Sequence, residues 1–189
     1  MKKSILFLAV IFIFGVSFLH AQNVNDPALK PILNNFGARN YAAGAVTKAE
    51  LDLIIQAGLR APSANNRQPW RFTVVQNQAL AKKIIPQLTD GNVLIIVSAQ
   101  GDGKTNNVAI FDCGLAVQSM YLAAQAMGLG SRIYSGPMGT VNGSLKAELG
   151  IPADSNAIAL VRVGRLPAGV DVVGSASPRN SADKVVTFR

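Results

Sequence analysis

The chemically richest segment of this chain is a run of thirteen residues, Arg60–Phe72, with the sequence RAPSANNRQPWRF. A capped helix end followed by an ordinary polar turn would account for Pro62 and Pro69. Such a turn does not need the four consecutive polar side chains at its centre, which are Asn65, Asn66, Arg67 and Gln68. Amide and guanidinium groups this dense, in a loop between two rigid elements, suit the binding of a flat heteroaromatic or polyhydroxy ligand.

The rest of the chain offers little acid–base chemistry. The only histidine, His20, lies in a predicted signal peptide, and the only cysteine is Cys113. The mature protein therefore lacks Ser–His, Cys–His and His–metal chemistry, and it cannot form an intramolecular disulfide. Glu50 and Glu148 are the only glutamates. Such a chain is either not an enzyme or an enzyme whose chemistry is carried by a cofactor.

The N-terminus predicts export. Lys2 and Lys3 precede the apolar run Ser4–Leu19, and Ala21 is a small residue suited to a cleavage site. This pattern is typical of a secretory signal peptide over residues 1–21. The alternative is a retained membrane anchor, for which the run is short, since a spanning helix needs about 20 residues. We therefore predict an exported, periplasmic protein with no stable membrane insertion after cleavage.

The remaining 189 − 21 = 168 residues fit one domain. We predict a flexible leader over 22–34 and a single domain over 35–189. Cleavage removes two lysines, which leaves 16 basic and 10 acidic residues and a net charge of +6. The basic residues are scattered, and Lys82-Lys83 is the only basic pair of the mature chain, so nucleic acid is not predicted as a partner. The excess charge favours anionic ligands.

Hydrophobic periodicity and capping signals predict alternating helices and strands. The predicted helices are a short one near 27–33, then 48–60, one starting after Asn77, 107–127 and 141–149. The predicted strands are 71–76, 93–98, 132–135, 157–164 and 184–188. The helix over 107–127 is apolar on most sides, which predicts a core position and a buried, inert Cys113. The last strand has no local partner and is predicted to pair with a second subunit.

Four parts of the chain, in order, resemble the nitroreductase family, whose members bind FMN. They are Arg39-Asn40-Tyr41, the segment Ala61–Trp70, the helix of Asp112 that runs to Gly128-Leu129-Gly130, and an ending with Gly164-Arg165, Pro178-Arg179 and Val185-Val186. The resemblance covers about residues 35–189. It implies an α+β, three-layer fold with a mainly antiparallel central sheet flanked by helices, and an extended C-terminal arm.

The resemblance also implies a function. The chain would be an exported FMN-dependent oxidoreductase that works as a homodimer with FMN at the interface. In a ping-pong cycle, NAD(P)H or another reduced donor would give electrons to FMN, and a nitroaromatic or quinone-like acceptor would take them. The flavin would carry this chemistry, so no catalytic side chain and no metal are expected.

Eight residues match family positions at the cofactor: Arg39, Ser63, Ala64, Asn66, Gln68, Ser135, Gly136 and Arg179. The resemblance implies that Arg39 lies at the pyrimidine edge of the flavin, where a cation stabilises the charge gained on reduction. The loop residues would contact the FMN held mainly by the partner subunit, with Gln68 supporting the loop. Ser135 and Gly136 would direct a backbone N–H toward N5, and Arg179 would bind the phosphate.

Two departures from the family pattern leave alternatives open. Asn35 stands where the family has its first arginine, a phosphate ligand, and Gly37 stands where it has a serine. Either the phosphate is held more weakly than usual or another residue, such as Arg67, supplies the missing contact. A second hypothesis is therefore a non-catalytic protein that binds flavin or a small aromatic on the same fold. A third is a purely structural dimer without a chromophore.

Overall fold

The computed structural model describes residues 26–101, 106–170 and 177–189, so the predicted signal peptide and residues 22–25 lie outside the described part. The helices are α1 Lys30–Leu33, α2 Lys48–Leu59, α3 Gln78–Ile84, α4 Asn107–Ala126, α5 Met138–Asn142 and α6 Ala182–Val185. The strands are β1 Trp70–Val75, β2 Val93–Gln100, β3 Gly130–Tyr134 and β4 Ser155–Gly164. A short 3₁₀ turn, Ala64–Asn66, precedes β1.

The four strands form one antiparallel sheet in the order β1-β2-β4-β3. The two central strands are almost wholly buried, because their continuous apolar runs are covered on both faces. β3 is an edge strand, and the chain around Ala38 runs along its outer side, where the Ala38 N–H donates to the carbonyl of Ser131 at 3.0 Å. The N-terminal segment is thereby fixed beside β3.

The residues of β2 alternate between two cores, which makes the fold a three-layer α+β structure. Val93, Ile95 and Val97 belong to a core with α2 and α4. Leu94 and Ile96 belong to a second core with α3, α5 and the turns that follow α5. The predicted fold class, with its mainly antiparallel sheet between helices, is confirmed.

Helix α4 is the centre of the first core. Eight of its twenty residues are buried, and it contacts α2 and all four strands. By length and composition it could also cross a membrane, but its position against the sheet explains its apolar composition. Cys113 is fully buried, as predicted, and burial raises the pKa of its thiol to about 12.

The prediction of a helix over 141–149 is wrong in its bounds. Helix α5 covers Met138–Asn142 and is followed by turns as far as Gly150. The Asn142 side chain explains this end: its amide donates to the carbonyl of Ala157 at 2.7 Å and accepts from the Ala157 N–H at 2.8 Å. These two bonds fix Asn142 to β4, and Gly143 leaves the helical backbone directly after it.

The prediction of a strand over Lys184–Phe188 is wrong for Lys184 and Val185, which are helical, while its pairing with a second subunit stays a prediction. Ala182–Val185 form the short helix α6, and the residues after it are not paired in the sheet. Alternating apolar residues predict a strand only where a neighbouring strand can pair with them. Here Val185, Val186 and Phe188 are exposed, the last at 91 %. The exposed ending leaves these apolar side chains without a core contact within the described subunit.

An ion pair joins the end of β4 to the start of α2. Arg165 donates to both carboxylate oxygens of Glu50, at 2.7 and 2.8 Å. The hydrogen bond from Arg165 is the main cause that lowers the pKa of Glu50 from 4.5 to about 2. A depressed folded-state pKa contributes stability above the unfolded-state value, and this stability is lost as the pH falls through the folded-state value.

We expect Glu50→Gln to lower the free energy of unfolding by about 1 kcal/mol at pH 7. Glutamine keeps the capping-box geometry with Thr47, so the change removes mainly the charge. The difference from wild type should shrink as the pH falls from about 4.5 to about 2. Urea denaturation over a pH series measures it, with Asp52→Asn, in an exposed pair with Lys48, as the control. A difference that does not change with pH would contradict the prediction.

Candidate functional site

The loop Ser63–Gln68 has an unusual backbone. Asn65, Asn66 and Gln68 have φ values of 51°, 54° and 48°, and in the described part of the chain no other non-glycine residue has a positive φ. Asparagine tolerates this left-handed conformation, but glutamine pays a steric cost of about 1 kcal/mol. Strained residues of this kind cluster at ligand-binding sites, where the surrounding structure holds them.

Hydrogen bonds to side chains help to hold the loop. The Gln68 N–H donates to Ser63 Oγ at 3.0 Å, and Gln68 Nε2 donates to Asn66 Oδ1 at 3.0 Å. The Ala64 N–H donates to Oδ1 of Asp112, on α4, at 3.1 Å. Asp112 is only 2 % exposed. A buried carboxylate is stabilised by such a donor, so Asp112 fixes the start of the loop against α4.

We expect Asp112→Ala to lower the free energy of unfolding by about 1–3 kcal/mol, because the Ala64 N–H loses its acceptor and a small cavity replaces the carboxylate. Asp112→Asn keeps an acceptor at Oδ1 and should retain more of the stability. Amide hydrogen exchange at Ala64 should rise by more in the alanine variant than in the asparagine variant. Equal protection of this amide in all three proteins would mean that Asp112 does not anchor the loop.

The loop borders an open, mostly apolar cavity of about 410 Å³, which we name the loop cavity. It is lined by Pro62, Ser63 and Ala64 and by residues of α4 and its start: Asn107, Val108, Phe111, Asp112 and Leu115. Phe111 is 66 % exposed. A phenyl ring exposed to this extent within an apolar surface is typical of a contact surface.

A second cavity, of about 320 Å³, lies at the outer edge of β3, and we name it the arginine cavity. Its lining is mainly polar and consists of Asn35, Gly37, Arg39, Gln118, Tyr121, Arg132, Ile133 and Ser177. Two guanidinium groups line it, and none of the described residues that line it is acidic. Two like charges without a carboxylate favour an anionic ligand.

A buried third arginine lies close to this cavity. Arg162 is 5 % exposed and donates to Asn92 Oδ1 at 2.7 Å and to Thr89 Oγ1 at 3.1 Å. Its guanidinium carbon lies 3.9 Å from the centre of the Tyr41 ring. Burial raises the pKa of Tyr41, and the charges of Arg162 and Arg132 oppose that rise. The phenol is therefore neutral, and the potential near the arginine cavity remains positive.

The other predicted residues lie near the ends of this cavity. Ser135 and Gly136 are exposed and directly follow β3, whose Arg132 lines the arginine cavity. The Arg179 guanidinium donates to the carbonyl of Ser177, a lining residue, at 2.7 Å. The C-terminal segment therefore brings Arg179 close to the arginine cavity.

The predicted site residues thus fall into two groups within one subunit. Arg39 lines the arginine cavity, whereas Ser63 and Ala64 line the loop cavity. Asn66 and Gln68 are bonded to each other in the loop, and neither is among the lining residues of the two cavities. Both cavities open along one face of α4, because Phe111, Leu115 and Gln118 are spaced by four and three residues.

The sequence analysis assigned no role at the site to two residues of this region, Arg132 and Asp112. Arg132 was interpreted only as the start of a strand, although a charged residue two positions before Tyr134 in a short strand indicates a polar face. Asp112 is the single charged residue of α4, and a lone carboxylate in an apolar helix indicates a buried partner. Arg67, considered as a substitute cation, lies in the loop and does not line the arginine cavity.

Among the described residues, no group of three or more His, Cys, Asp or Glu side chains could hold a metal ion. The two cavities and the loop offer guanidinium groups, backbone N–H groups and amides, which bind a ligand and stabilise its charge.

Comparison with known proteins identifies a protein family at the levels of both sequence and fold. The Nitroreductase family model matches residues 38–91 and 85–165. A protein of Archaeoglobus fulgidus, named as an NADH dehydrogenase/NAD(P)H nitroreductase, is 30% identical over 149 residues, which are 74% of this chain and 85% of that protein.

Two solved structures share the fold. A nitroreductase in complex with FMN from Desulfovibrio desulfuricans has a TM-score of 0.72 and 26% identity, and the match covers 87% of this chain and 97% of that chain. A nitroreductase with bound FMN from Desulfitobacterium hafniense has a TM-score of 0.71 and 21% identity, over 87% of this chain and 98% of that chain. With the family model covering most of the domain, the chain belongs to the nitroreductase family.

Proposed function

We propose that this protein is an FMN-dependent oxidoreductase that takes electrons from NAD(P)H or another reduced donor and passes them to a nitroaromatic or quinone-like acceptor. The observation that carries the proposal is the arginine cavity, a cationic site at the edge of the sheet in a member of the nitroreductase family. The names of the relatives support it, since the A. fulgidus protein is named for NAD(P)H and the two solved structures contain FMN.

The residues present fit FMN. The phosphate is a dianion, and Arg179 offers a guanidinium group beside the arginine cavity. The exposed turn at Ser135 and Gly136 offers backbone N–H groups to a ring nitrogen. The loop residues Asn65, Asn66 and Gln68 are exposed and carry amide groups, which suit the edge of a planar heterocycle.

Bound FMN would supply the redox chemistry, by accepting a hydride equivalent and passing its electrons on. The protein would contribute position and charge. Arg39 would stabilise negative charge at the pyrimidine edge, and the Ser135–Gly136 backbone would orient the reactive edge of the ring. Cys113 is buried with a raised pKa, so it would not take part as a base or nucleophile.

We propose that the protein is a homodimer in which the exposed face of α4 forms part of the interface. The face carries Val108, Phe111 and Leu115, which line the loop cavity, and pairing of two copies would cover it. It would also bring the Ser63–Gln68 loop of one subunit toward the arginine cavity of its partner. The two groups of predicted residues would then form one site.

We also propose that the mature protein is exported to the periplasm after cleavage of residues 1–21. The supporting observation is the lysine pair followed by an apolar run and a small residue. NAD(P)H is a cytoplasmic donor, so an exported enzyme would require a different reduced donor outside the cytoplasm. The physiological donor would therefore be the main difference from the relatives named for NAD(P)H.

The first test is the absorption spectrum of the purified mature protein, before and after addition of FMN. The proposal predicts flavin bands that survive dialysis, at about one FMN per chain. A protein that retains no flavin at a high concentration of added FMN would contradict the proposal and support the purely structural dimer.

The replacement of two family positions by Asn35 and Gly37 favours a second function, a flavin-binding protein without turnover. Steady-state oxidation of NADH, NADPH or dithionite by the FMN-loaded protein distinguishes the oxidoreductase from the flavin-binding protein. Turnover with a nitroaromatic or quinone supports the oxidoreductase. Stoichiometric FMN binding without turnover for any donor–acceptor pair supports the binding protein.

A further inference from the structure

Arg132 is the guanidinium of the arginine cavity to which no role has been assigned so far. It lies on β3 directly opposite Arg162 of β4, so both side chains leave the sheet on the same face. Arg162 is buried, and its hydrogen bonds go to Asn92 and Thr89. Arg132 is less buried and lines the cavity. Of this adjacent pair, only Arg132 is available to a ligand.

Gly37 lies beside the stem of Arg132. A Cβ atom at Gly37 would lie 3.7 Å from Cγ of Arg132, which is an ordinary van der Waals distance. The guanidinium carbon of Arg132 lies 5.2 Å from the centre of the Tyr134 ring, within the range of a cation–π interaction. These two contacts position the side chain at the cavity wall.

The charges around Arg132 also favour an anion. Arg39 lines the same cavity, and none of the ion pairs between described residues involves Arg39 or Arg132. Asn35, a neutral residue, lines the cavity beside them. A guanidinium group binds phosphate through two parallel hydrogen bonds, which a neutral amide cannot replace.

We propose that Arg132 binds the phosphate of FMN and replaces the cation that this chain lacks at Asn35. The inference rests on the proposed function, because it assigns a residue to the phosphate end of the same cofactor. Arg132 is then a specificity residue that makes the site prefer FMN over riboflavin, which has the same ring system but no phosphate.

The test measures the dissociation constants of FMN and riboflavin for the mature protein by quenching of flavin fluorescence. Arg132→Gln should weaken FMN binding by roughly tenfold to hundredfold, the effect of one charge-assisted contact. Its affinity for riboflavin should stay within about twofold of wild type, since no phosphate contact is lost. Arg132→Lys should have an intermediate affinity for FMN, because lysine keeps the charge without the planar fork.

Lys48→Gln is the matched charge control, because it also removes one positive charge, at an exposed position at the start of α2. It should leave both dissociation constants unchanged. Retained riboflavin binding by Arg132→Gln shows that the variant is folded. If that variant instead binds FMN as tightly as wild type, or loses affinity equally for both flavins, the phosphate assignment is overturned. If wild type binds neither flavin, the proposed function itself fails.

Discussion

Under the proposed α4 dimer, Phe111→Glu should convert the dimer to monomers and remove most of the bound flavin. Phe111 is the most exposed large apolar side chain of α4 and lines the loop cavity. Aromatic residues at the centre of an interface commonly contribute about 2–4 kcal/mol, and the glutamate adds the cost of desolvating a charge. We therefore expect the dissociation constant of the dimer to rise by at least about a hundredfold.

The effect on flavin follows from the division of the site between two cavities. The arginine cavity of one subunit lacks the Ser63–Gln68 loop, which lines the loop cavity of the same subunit. Separation of the subunits should therefore leave each FMN with only one of its two sets of contacts. Sedimentation velocity over a range of protein concentrations and the ratio of flavin to protein absorbance measure the two effects in one sample.

Ala79→Glu is the control for the added charge. Ala79 is exposed on α3, which packs on the opposite face of the sheet from α4. This variant should remain dimeric with full flavin content. A dimeric Phe111→Glu protein at low concentration would refute the α4 interface. A monomeric variant that keeps its FMN would instead mean that the arginine cavity is sufficient alone.

The sequence was a good guide wherever a local signal determines structure. Thr47 and Glu50 form the capping box that starts α2, and the apolar run at Val93–Gln100 is the buried central strand β2. Both signals act within a few residues, so periodicity and capping detect them. The strand prediction at Lys184–Phe188 failed where α6 forms, because alternating apolar residues specify a strand only in the presence of a pairing partner.

Most of the site depends on contacts between residues that are distant in the sequence, and the chain gives weaker signals for them. The bond from Ala64 to Asp112 spans 48 residues, and the contact between Gly37 and Arg132 spans nearly twice as many. The resemblance identified Gly37 as a departure but could not indicate which side chain lies beside it. Only the pairing register of β3 and β4 shows that Arg132 lies beside Arg162, so that their different roles can be distinguished.

Arg39→Gln should lower turnover by about a hundredfold under the proposed function, with the protein saturated with FMN. Arg39 is exposed within the arginine cavity, and the bond from Ala38 to Ser131 holds its backbone beside β3. A fixed cation near the pyrimidine edge stabilises the charge that the flavin gains on reduction. Its removal should make the midpoint potential more negative, by about 30 mV for each tenfold loss in the relative affinity for the reduced form.

The midpoint potential and the affinities for FMN and riboflavin together distinguish the role of Arg39 from that of Arg132. Arg39→Gln should change the affinity for FMN and riboflavin by the same factor, because both contain the pyrimidine ring. Arg132→Gln should affect FMN alone and leave the potential nearly unchanged. Spectroelectrochemical titration of both variants, with Arg39→Lys as the charge-retaining control, measures the difference. If Arg39→Gln leaves the potential unchanged and selectively weakens FMN, then Arg39 binds the phosphate, and the two arginines have the opposite assignment.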